Sequence, residues 1–299
     1  MTDSKIIKAF AKGLLTYIPG VSSLLNKKKQ TSKHSGSHAE FCYALWLSIL
    51  VLLKENEIYP ELNEVGEIGC GGSLGVGICA LLTGSKKYYP LEIDVVFDKE
   101  ENLKMLDELI VLLKNKTRIA DKYKQLNIKI DNYDYPGNSI KPLFLQESII
   151  AEIREDIING FENSTRIILI KDWEKVPPIK LDFIFSRAVM EHVAVPDDIY
   201  KAIHYHLKPD SYMFHDIEYH SHGLTKRIDG HYSIPYYVWK IIYGKRQYFL
   251  NRWKSKDHLI SINSKGFQII KNKESYVIDV SNGKKTLNGA IVIAKKVNG

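Results

Sequence analysis

Five of the ten histidines in this 299-residue chain, His192, His215, His220, His222 and His231, fall close together with Glu191, Asp216 and Glu218. A neutral imidazole accepts a proton near pH 7, so a grouping of this kind suits removal of a proton from a hydroxyl. On that reasoning His192 is the first candidate for a general base, with His220 and His222 next. Glu191, His215 and Asp216 are candidate substrate contacts. Neighbouring strand residues point to opposite faces, so His215 and Asp216 should diverge, leaving Asp216 to orient His220 or His222 from the loop beyond. Any single histidine is as well explained by a structural hydrogen bond; the grouping is what points to chemistry.

A second chemical feature is the string Glu67-Ile68-Gly69-Cys70-Gly71-Gly72. A glycine-rich turn between a strand and a helix brings backbone N–H groups close to a ligand, in many proteins a phosphate. Here Glu67 stands at the mouth of the turn, where its charge repels phosphate and favours a cationic group such as an amine or sulfonium. The string also lacks the G-x-x-x-x-G-K-[ST] ending that grips nucleotide phosphates. A cofactor carrying adenosine and an amino acid, without phosphate, fits better.

These residues need elements to hold them. Residues 64–68 read as a strand, the glycine cluster as a turn, the apolar run to Leu82 as a helix, and residues 88–96 as a second strand: the opening βαβ unit of a doubly wound α/β sheet. Further strands are expected at 166–171, 181–185 and 212–217, a helix at 197–207, and β segments at 266–270, 276–280 and 289–294, the last forming a closing hairpin. Residues 101–160 are helical in pattern, with an inserted loop near 133–142. Ahead of the sheet, residues 39–55 place Phe41, Leu45, Ile49 and Leu52 on one helical face. Residues 4–25 form a basic amphipathic helix ending at Pro19-Gly20, which either packs over the domain as a lid or makes weak contact with an anionic membrane surface.

The segment 228–253 interleaves Tyr232, Tyr236, Tyr237, Trp239, Tyr243 and Trp253 with Arg227, Lys240, Arg246 and Arg252. It reads as a helical, aromatic cap whose Tyr236 and Arg252 would face the acceptor, stacking on a ring and holding an anion. An aromatic core inside the cap accounts for the same composition equally well.

In their order the motifs resemble the class I S-adenosylmethionine-dependent methyltransferases. Glu67-x-Gly69-x-Gly71-Gly72 matches that family's first motif. Asp94 matches the acid that binds the ribose hydroxyls, with Glu92 the alternative should the register differ; Asp172, with Trp173 beside it as a ring contact, matches the residue near the adenine. The run from Phe183 to Val193 resembles the fourth-strand signature, with Ser186 as a cofactor contact, and Leu207-Lys208-Pro209 the turn before strand five, with Asp210-Ser211 replacing its two glycines. The resemblance spans residues 62–299 and implies a seven-stranded sheet of order 3-2-1-4-5-7-6 with strand seven antiparallel. It also implies S-adenosylmethionine as cofactor, an N-terminal helical lid over residues 1–61, and insertions at about 101–160 and 223–255. More narrowly, the strings beginning at Tyr43, Gly72 and Asn251 resemble uncharacterised bacterial methyltransferases associated with surface-polysaccharide synthesis, which adds Tyr43 as a candidate substrate contact. Glu191-His192 also matches the end of the Glu-x-x-Glu-His metal-binding motif of ubiquinone-pathway O-methyltransferases. Ala188 stands where the first Glu belongs, so no metal is expected.

The expected activity is O-methylation of a small polar acceptor such as a sugar, nucleotide-sugar or phosphorylated glycan precursor. Alternatives are a nucleic-acid methyltransferase and a non-catalytic, cofactor-binding scaffold. The residues 233–237 lack the leading Asp or Asn of the Asp/Asn-Pro-Pro-Tyr motif of amino-methylating DNA enzymes, which makes nucleic acid a minor reading. With 44% hydrophobic and 26% charged residues the composition is that of a globular protein, not of a disordered or fibrous one. Three cysteines without CxxC spacing argue against a disulfide framework, and the start has no signal-peptide pattern, so a cytoplasmic location is expected. The net charge of +7 points weakly to an anionic partner.

Overall fold

The computed structural model describes residues 4–21, 38–92, 97–120, 128–137 and 145–297. Its elements are α1 (Ser4–Leu15), α2 (Ala39–Glu55), β1 (Glu64–Ile68), α3 (Gly75–Thr83), β2 (Lys87–Glu92), α4 (Lys99–Lys114), α5 (Glu147–Ile158), β3 (Ile170–Lys171), β4 (Leu181–Arg187), α6 (Pro196–His206), β5 (Leu207–Glu218), α7 (Tyr236–Tyr243), α8 (Ser255–Ser264), β6 (Phe267–Asp279) and β7 (Lys284–Lys296). The seven strands form one sheet of order β3-β2-β1-β4-β5-β7-β6. Strands β1 to β5 run parallel, and β7 is antiparallel to both β5 and β6. This is the order that the motifs implied.

The central strands are apolar on both faces because helices cover both, the condition under which parallel strands read as continuous hydrophobic runs. Phe183 and Phe185 of β4 turn to one side, where Trp46 of α2 packs with ring centroids 6.5 and 5.7 Å away. Ile184 turns to the other, into a cluster with Tyr200 of α6 and Ile262 of α8. α2 is buried around nearly its whole circumference, not on one face alone. It is apolar all round and packs against α3, α4 and the Phe183–Phe185 face of the sheet, the setting that such a composition requires.

Two strand expectations are corrected. The third strand shrinks to Ile170–Lys171, preceded by an isolated bridge between Tyr88 and Ile167. The two β segments expected at 266–270 and 276–280 are one continuous strand, β6, with register shifts at Ile269/Lys271 and Ser275/Tyr276. The polar stretch between them looked like a turn, but β6 is an edge strand whose outward face alternates into solvent and tolerates lysine and glutamate. The loop expected near 133–142 lies partly outside the described residues, and Asp94 lies wholly outside them.

α1 packs on α7, and a small apolar cluster of Ala9, Ile234, Trp239, Ile242 and Leu250 joins them. Gly13 allows this approach, since a Cβ there would collide with the carbonyls of Ile241 and Ile242. Thr16 Oγ1 accepts a hydrogen bond from the Lys245 backbone N–H at 2.8 Å. Ile7, Leu14 and Leu15 stay exposed on the outer side of α1. No described helix is long and apolar enough to cross a membrane.

Glycines in α3 serve packing. Gly77 sits directly against the Tyr88 ring and Gly75 against Cys42 Sγ and Met105 Sδ, where a Cβ would come within 2.5 and 2.8 Å of the two sulfurs. Gly77→Ala should therefore overpack the α3–β2 interface and destabilise the fold by about 1–3 kcal/mol, read as a lower midpoint in chemical denaturation. An unchanged midpoint would show that Tyr88 has room to move.

Candidate functional site

The carboxyl ends of β1, β4 and β5 and the turns beyond them gather the chemistry at one edge of the sheet, where ligands bind in open α/β folds. After β1, Gly69 and Gly71 adopt φ of +72° and +63°, which bends the chain back on itself before α3. Gly69 is also a contact: a Cβ on it would lie 2.6 Å from Val189 Cγ2, so the turn after β4 rests on this bare α-carbon. Gly72 differs from both, because a Cβ there would meet nothing within 4 Å. Asn102 of α4 holds the turn open: its Oδ1 accepts from the Leu74 N–H at 2.8 Å and its Nδ2 donates to the Gly72 carbonyl at 3.3 Å. Sequence reading missed Asn102, a residue distant in the chain and ordinary in type.

Glu67 is buried beneath the turn and accepts a hydrogen bond from the Tyr88 hydroxyl at 2.6 Å. Burial pushes its carboxyl up to about 8; the Tyr88 hydrogen bond opposes the rise and the nearby charge of Glu92 adds to it. Glu92, at the end of β2, lies within electrostatic reach of both Glu67 and Cys70, beside the turn. Asp172 follows β3 in a left-handed conformation, φ +48°, and is exposed with Lys175 Nζ 3.5 Å away. Trp173 is corrected from a ligand contact to a core residue: it is 1% exposed and packed against His206, leaving no open ring face.

Beyond β4 and β5 the histidines and carboxylates meet. Ser186 and His215 are both fully buried, and the serine hydroxyl lies 2.7 Å from His215 Nδ1, while His215 Nε2 has no hydrogen-bond partner among the described residues. Burial lowers His215 to about 3, with the charge of His258 adding to the effect. Asp216 turns to the opposite face, as strand alternation demands, toward Arg187 (Nε to Oδ2 4.0 Å). The residue that orients the loop histidines is Glu218, not Asp216. Its Oε2 is 2.9 Å from His220 Nε2 and 3.3 Å from His222 Nε2, while Oε1 is 3.2 Å from Arg187 Nη2. Glu218 shares a face with Asp216 but sits two residues nearer the loop. Burial raises its carboxyl, and the His220 hydrogen bond and the Arg187 charge outweigh that and hold it below the ordinary value.

His220 and His222 stack at 4.2 Å, and His192 meets His222 edge-on at 5.0 Å, so the three candidate bases form one cluster. His220 Nδ1 accepts the His222 backbone N–H at 3.1 Å, which leaves its Nε2–H to donate to Glu218. Burial, then the charges of His220 and His192, lowers His222 to about 4, so it is a neutral imidazole at pH 7. Glu191 lies beside it at 3% exposure, neither carboxylate oxygen has a hydrogen-bond partner among the described residues, and burial drives its carboxyl well up. The turn carrying Glu191 and His192 is clamped by Asn251, whose Nδ2 donates to the Met190 and Val193 carbonyls at 2.7 and 2.9 Å.

Three candidate substrate contacts are placed elsewhere. Tyr43 is 2% exposed in the α2 core and donates to the Thr117 carbonyl. Arg252 spends its guanidinium on the carbonyls of Ile234 and Tyr232, which makes it a brace of the cap. Tyr236 is 68% exposed at the start of α7, under Lys240 and away from the cluster. What does face the histidines is a cavity of about 480 Å³ between α1 and the loops after β5 and α7, lined by Lys5, Lys8, Lys12 and Arg246 together with His192 and His222.

The fold and site together define a doubly wound α/β protein with a glycine-rich turn beside a histidine–carboxylate cluster. No protein-family model matches the sequence, and no curated protein matches it significantly. Among solved structures the chain is similar to an S-adenosylmethionine-dependent methyltransferase from Methanosarcina mazei, at 15% identity, covering 81% of this chain and 96% of that one with a TM-score of 0.43. It is also similar to an S-adenosylmethionine-dependent methyltransferase from Mesorhizobium loti, at 12% identity, 82% and 95% coverage and a TM-score of 0.40. A third is the magnesium protoporphyrin IX methyltransferase from Synechocystis with bound S-adenosylhomocysteine, at 11% identity, 92% and 94% coverage and a TM-score of 0.42. At such distances the chemistry has to come from this chain's own residues.

Glu67 yields a test that needs no ligand. Its carboxyl titrates near 8 when folded and near 4.5 when free, so the unfolded chain releases the proton first. The stability this group confers is therefore complete below about 4.5 and is lost as pH rises through about 8. Chemical unfolding across about pH 5 to 9 should show a steeper loss of stability with pH in the wild type than in Glu67→Gln. Equal slopes would mean that Glu67 is already ionised at neutral pH.

Proposed function

We propose that this chain is an S-adenosylmethionine-dependent methyltransferase that O-methylates a small anionic acceptor, such as a phosphorylated glycan precursor or a nucleotide-sugar. The cofactor part of the reading is supported by Glu67 beneath the glycine turn, which offers a buried carboxylate to a cationic amino-acid end, and by the ribose acid expected at Asp94 or Glu92 beside it. Methyl transfer is an in-line displacement at the sulfonium methyl, so the protein mainly has to place the acceptor oxygen opposite sulfur and exclude water. The acceptor part is carried by one observation: the lysine- and arginine-lined cavity that opens onto His192 and His222. Three lysines of α1 and Arg246 on the opposite side suit a phosphate or carboxylate, and the two imidazoles line the same cavity.

Gly72 separates cofactor binding from folding. A Cβ at Gly72 meets nothing within 4 Å, so Gly72→Val extends a side chain from the turn into open space. It should leave the unfolding midpoint unchanged while weakening S-adenosylmethionine binding at least tenfold by calorimetry. Unchanged cofactor affinity would defeat the cofactor assignment.

Release of S-adenosylhomocysteine with fractionated glycan-precursor and nucleotide-sugar extracts tests turnover. With an active fraction, Lys8→Ala combined with Lys12→Ala should raise KM for the acceptor and leave cofactor affinity alone. At least one of His192→Ala, His220→Ala and His222→Ala should lower kcat by about 10²-fold or more, the scale for a group acting on the reacting hydroxyl. Turnover with RNA or DNA alone would favour the nucleic-acid reading, and cofactor binding without turnover on any pool the scaffold reading.

A further inference from the structure

Glu191 poses a problem that methyl transfer does not resolve. Its carboxyl is 3% exposed, neither oxygen has a hydrogen-bond partner among the described residues, and the charged form of such a group costs several kcal/mol unless a cation compensates it. Its neighbours make the imbalance worse. Asp216 and Glu218 are buried in the same region, and Arg187 is the guanidinium that faces them both.

The imidazoles around Glu191 have the geometry to hold one. Glu191, His192 and His222 each offer a ligand atom within 4.8 Å of the other two, and Glu218, His220 and His222 form a second such group sharing His222. Glu191 Oε1 lies 4.0 Å from His222 Nε2, aimed into the cluster. In a tetrahedral site with bonds of about 2.1 Å, ligand atoms stand roughly 3.4 Å apart, so rotamer adjustments of under about 1.5 Å would close the set. The turn that bears Glu191 and His192 is pinned by Asn251, which fixes two of the ligands relative to each other.

We propose that Glu191, His192 and His222 form a binding site for one divalent ion of the zinc class, with Glu218 and His220 as a further carboxylate and imidazole at its edge. Two imidazole nitrogens and a carboxylate oxygen select a borderline ion such as Zn²⁺, Co²⁺ or Fe²⁺ over Mg²⁺ or Ca²⁺, which prefer all-oxygen sets. The set draws on two strands: Glu191 and His192 follow β4, and His222 follows β5. Ala188, the place where the linear motif lacks a ligand, is thus made up for in space by a residue of another loop. With an ion bound, His192 and His222 are ligands and the base role falls to His220; ion binding is measured without substrate or cofactor, so the site is tested independently of the acceptor reading.

The test uses the full-length protein stripped of metal by chelation. Titration with Zn²⁺ by calorimetry should give one equivalent bound, and titration with Co²⁺ should give the visible absorption bands of a low-coordinate ion with nitrogen ligands. Glu191→Gln and His222→Asn should each weaken Zn²⁺ binding at least tenfold, the lower end of the roughly 10–100-fold loss seen when even an outer partner of a metal site is removed. His222 has a φ of +47°, a conformation that asparagine adopts readily, so that variant keeps the loop if Glu191→Gln fails to fold. His204→Gln, on α6 away from the cluster, should bind Zn²⁺ as the wild type does. Less than one equivalent bound, no Co²⁺ bands, or wild-type affinity in His222→Asn would overturn the site.

Discussion

The contact between Val189 and the bare α-carbon of Gly69 is the joint on which the site depends. It brings the turn after β4 down onto the turn after β1, so that the glycine cradle and the histidine–carboxylate cluster share one edge of the sheet. A side chain at Gly69 would push the two apart and would also strain a backbone held at positive φ. Everything nearer the chemistry is referenced to this joint. Glu67 reaches it from below through Tyr88, and Tyr88 is seated in turn because Gly77 leaves room for its ring.

Charge is arranged in two tiers around this joint. Near the glycine turn, burial and the neighbouring charge of Glu92 raise the Glu67 carboxyl to about 8, against the Tyr88 hydrogen bond. Near the histidines, Arg187 neutralises part of the carboxylate charge and rests over the Phe41 ring of α2, 5.4 Å from its centroid. Buried carboxylates this close hold their geometry only when opposite charge is supplied, so the cluster is built to receive a cation or a proton rather than to stand alone. The lysines of α1 lie further out, in the wall of the open cavity.

The cap and the N-terminal helix divide the work of closing that cavity. Arg252 and Asn251 are consecutive and both brace backbone, one holding the carbonyls of Ile234 and Tyr232, the other those of Met190 and Val193. Together they tie the cap to the turn bearing Glu191 and His192. α1 adds the cationic wall by packing Gly13 onto α7, with Lys5 Nζ donating to the Gly223 carbonyl at 2.9 Å beside the His222 loop. The outer face of α1 keeps its apolar residues exposed.

Strand alternation and the glycine spacing were legible without coordinates, because both are local properties of the chain. They sufficed for the doubly wound sheet, for the divergence of His215 from Asp216, and for the grouping of His192, His220 and His222. Periodicity misjudged α2 and β6 for one reason: it reports which residues are apolar, not how many sides of an element are covered. The site residues separated along the same line. Tyr43, Trp173 and Arg252 have the side chains that ligands favour, and only packing shows that α2, His206 and the cap carbonyls already claim them. Conversely Asn102 carries no motif, and the roles of Asn102, Asn251 and Glu218 come from hydrogen bonds to backbone or to imidazoles brought near by the fold. Sequence spacing determined which chemistry the chain could hold, and tertiary contact decided which residues remain free to perform it, because burial and hydrogen bonding are settled between elements and not within them.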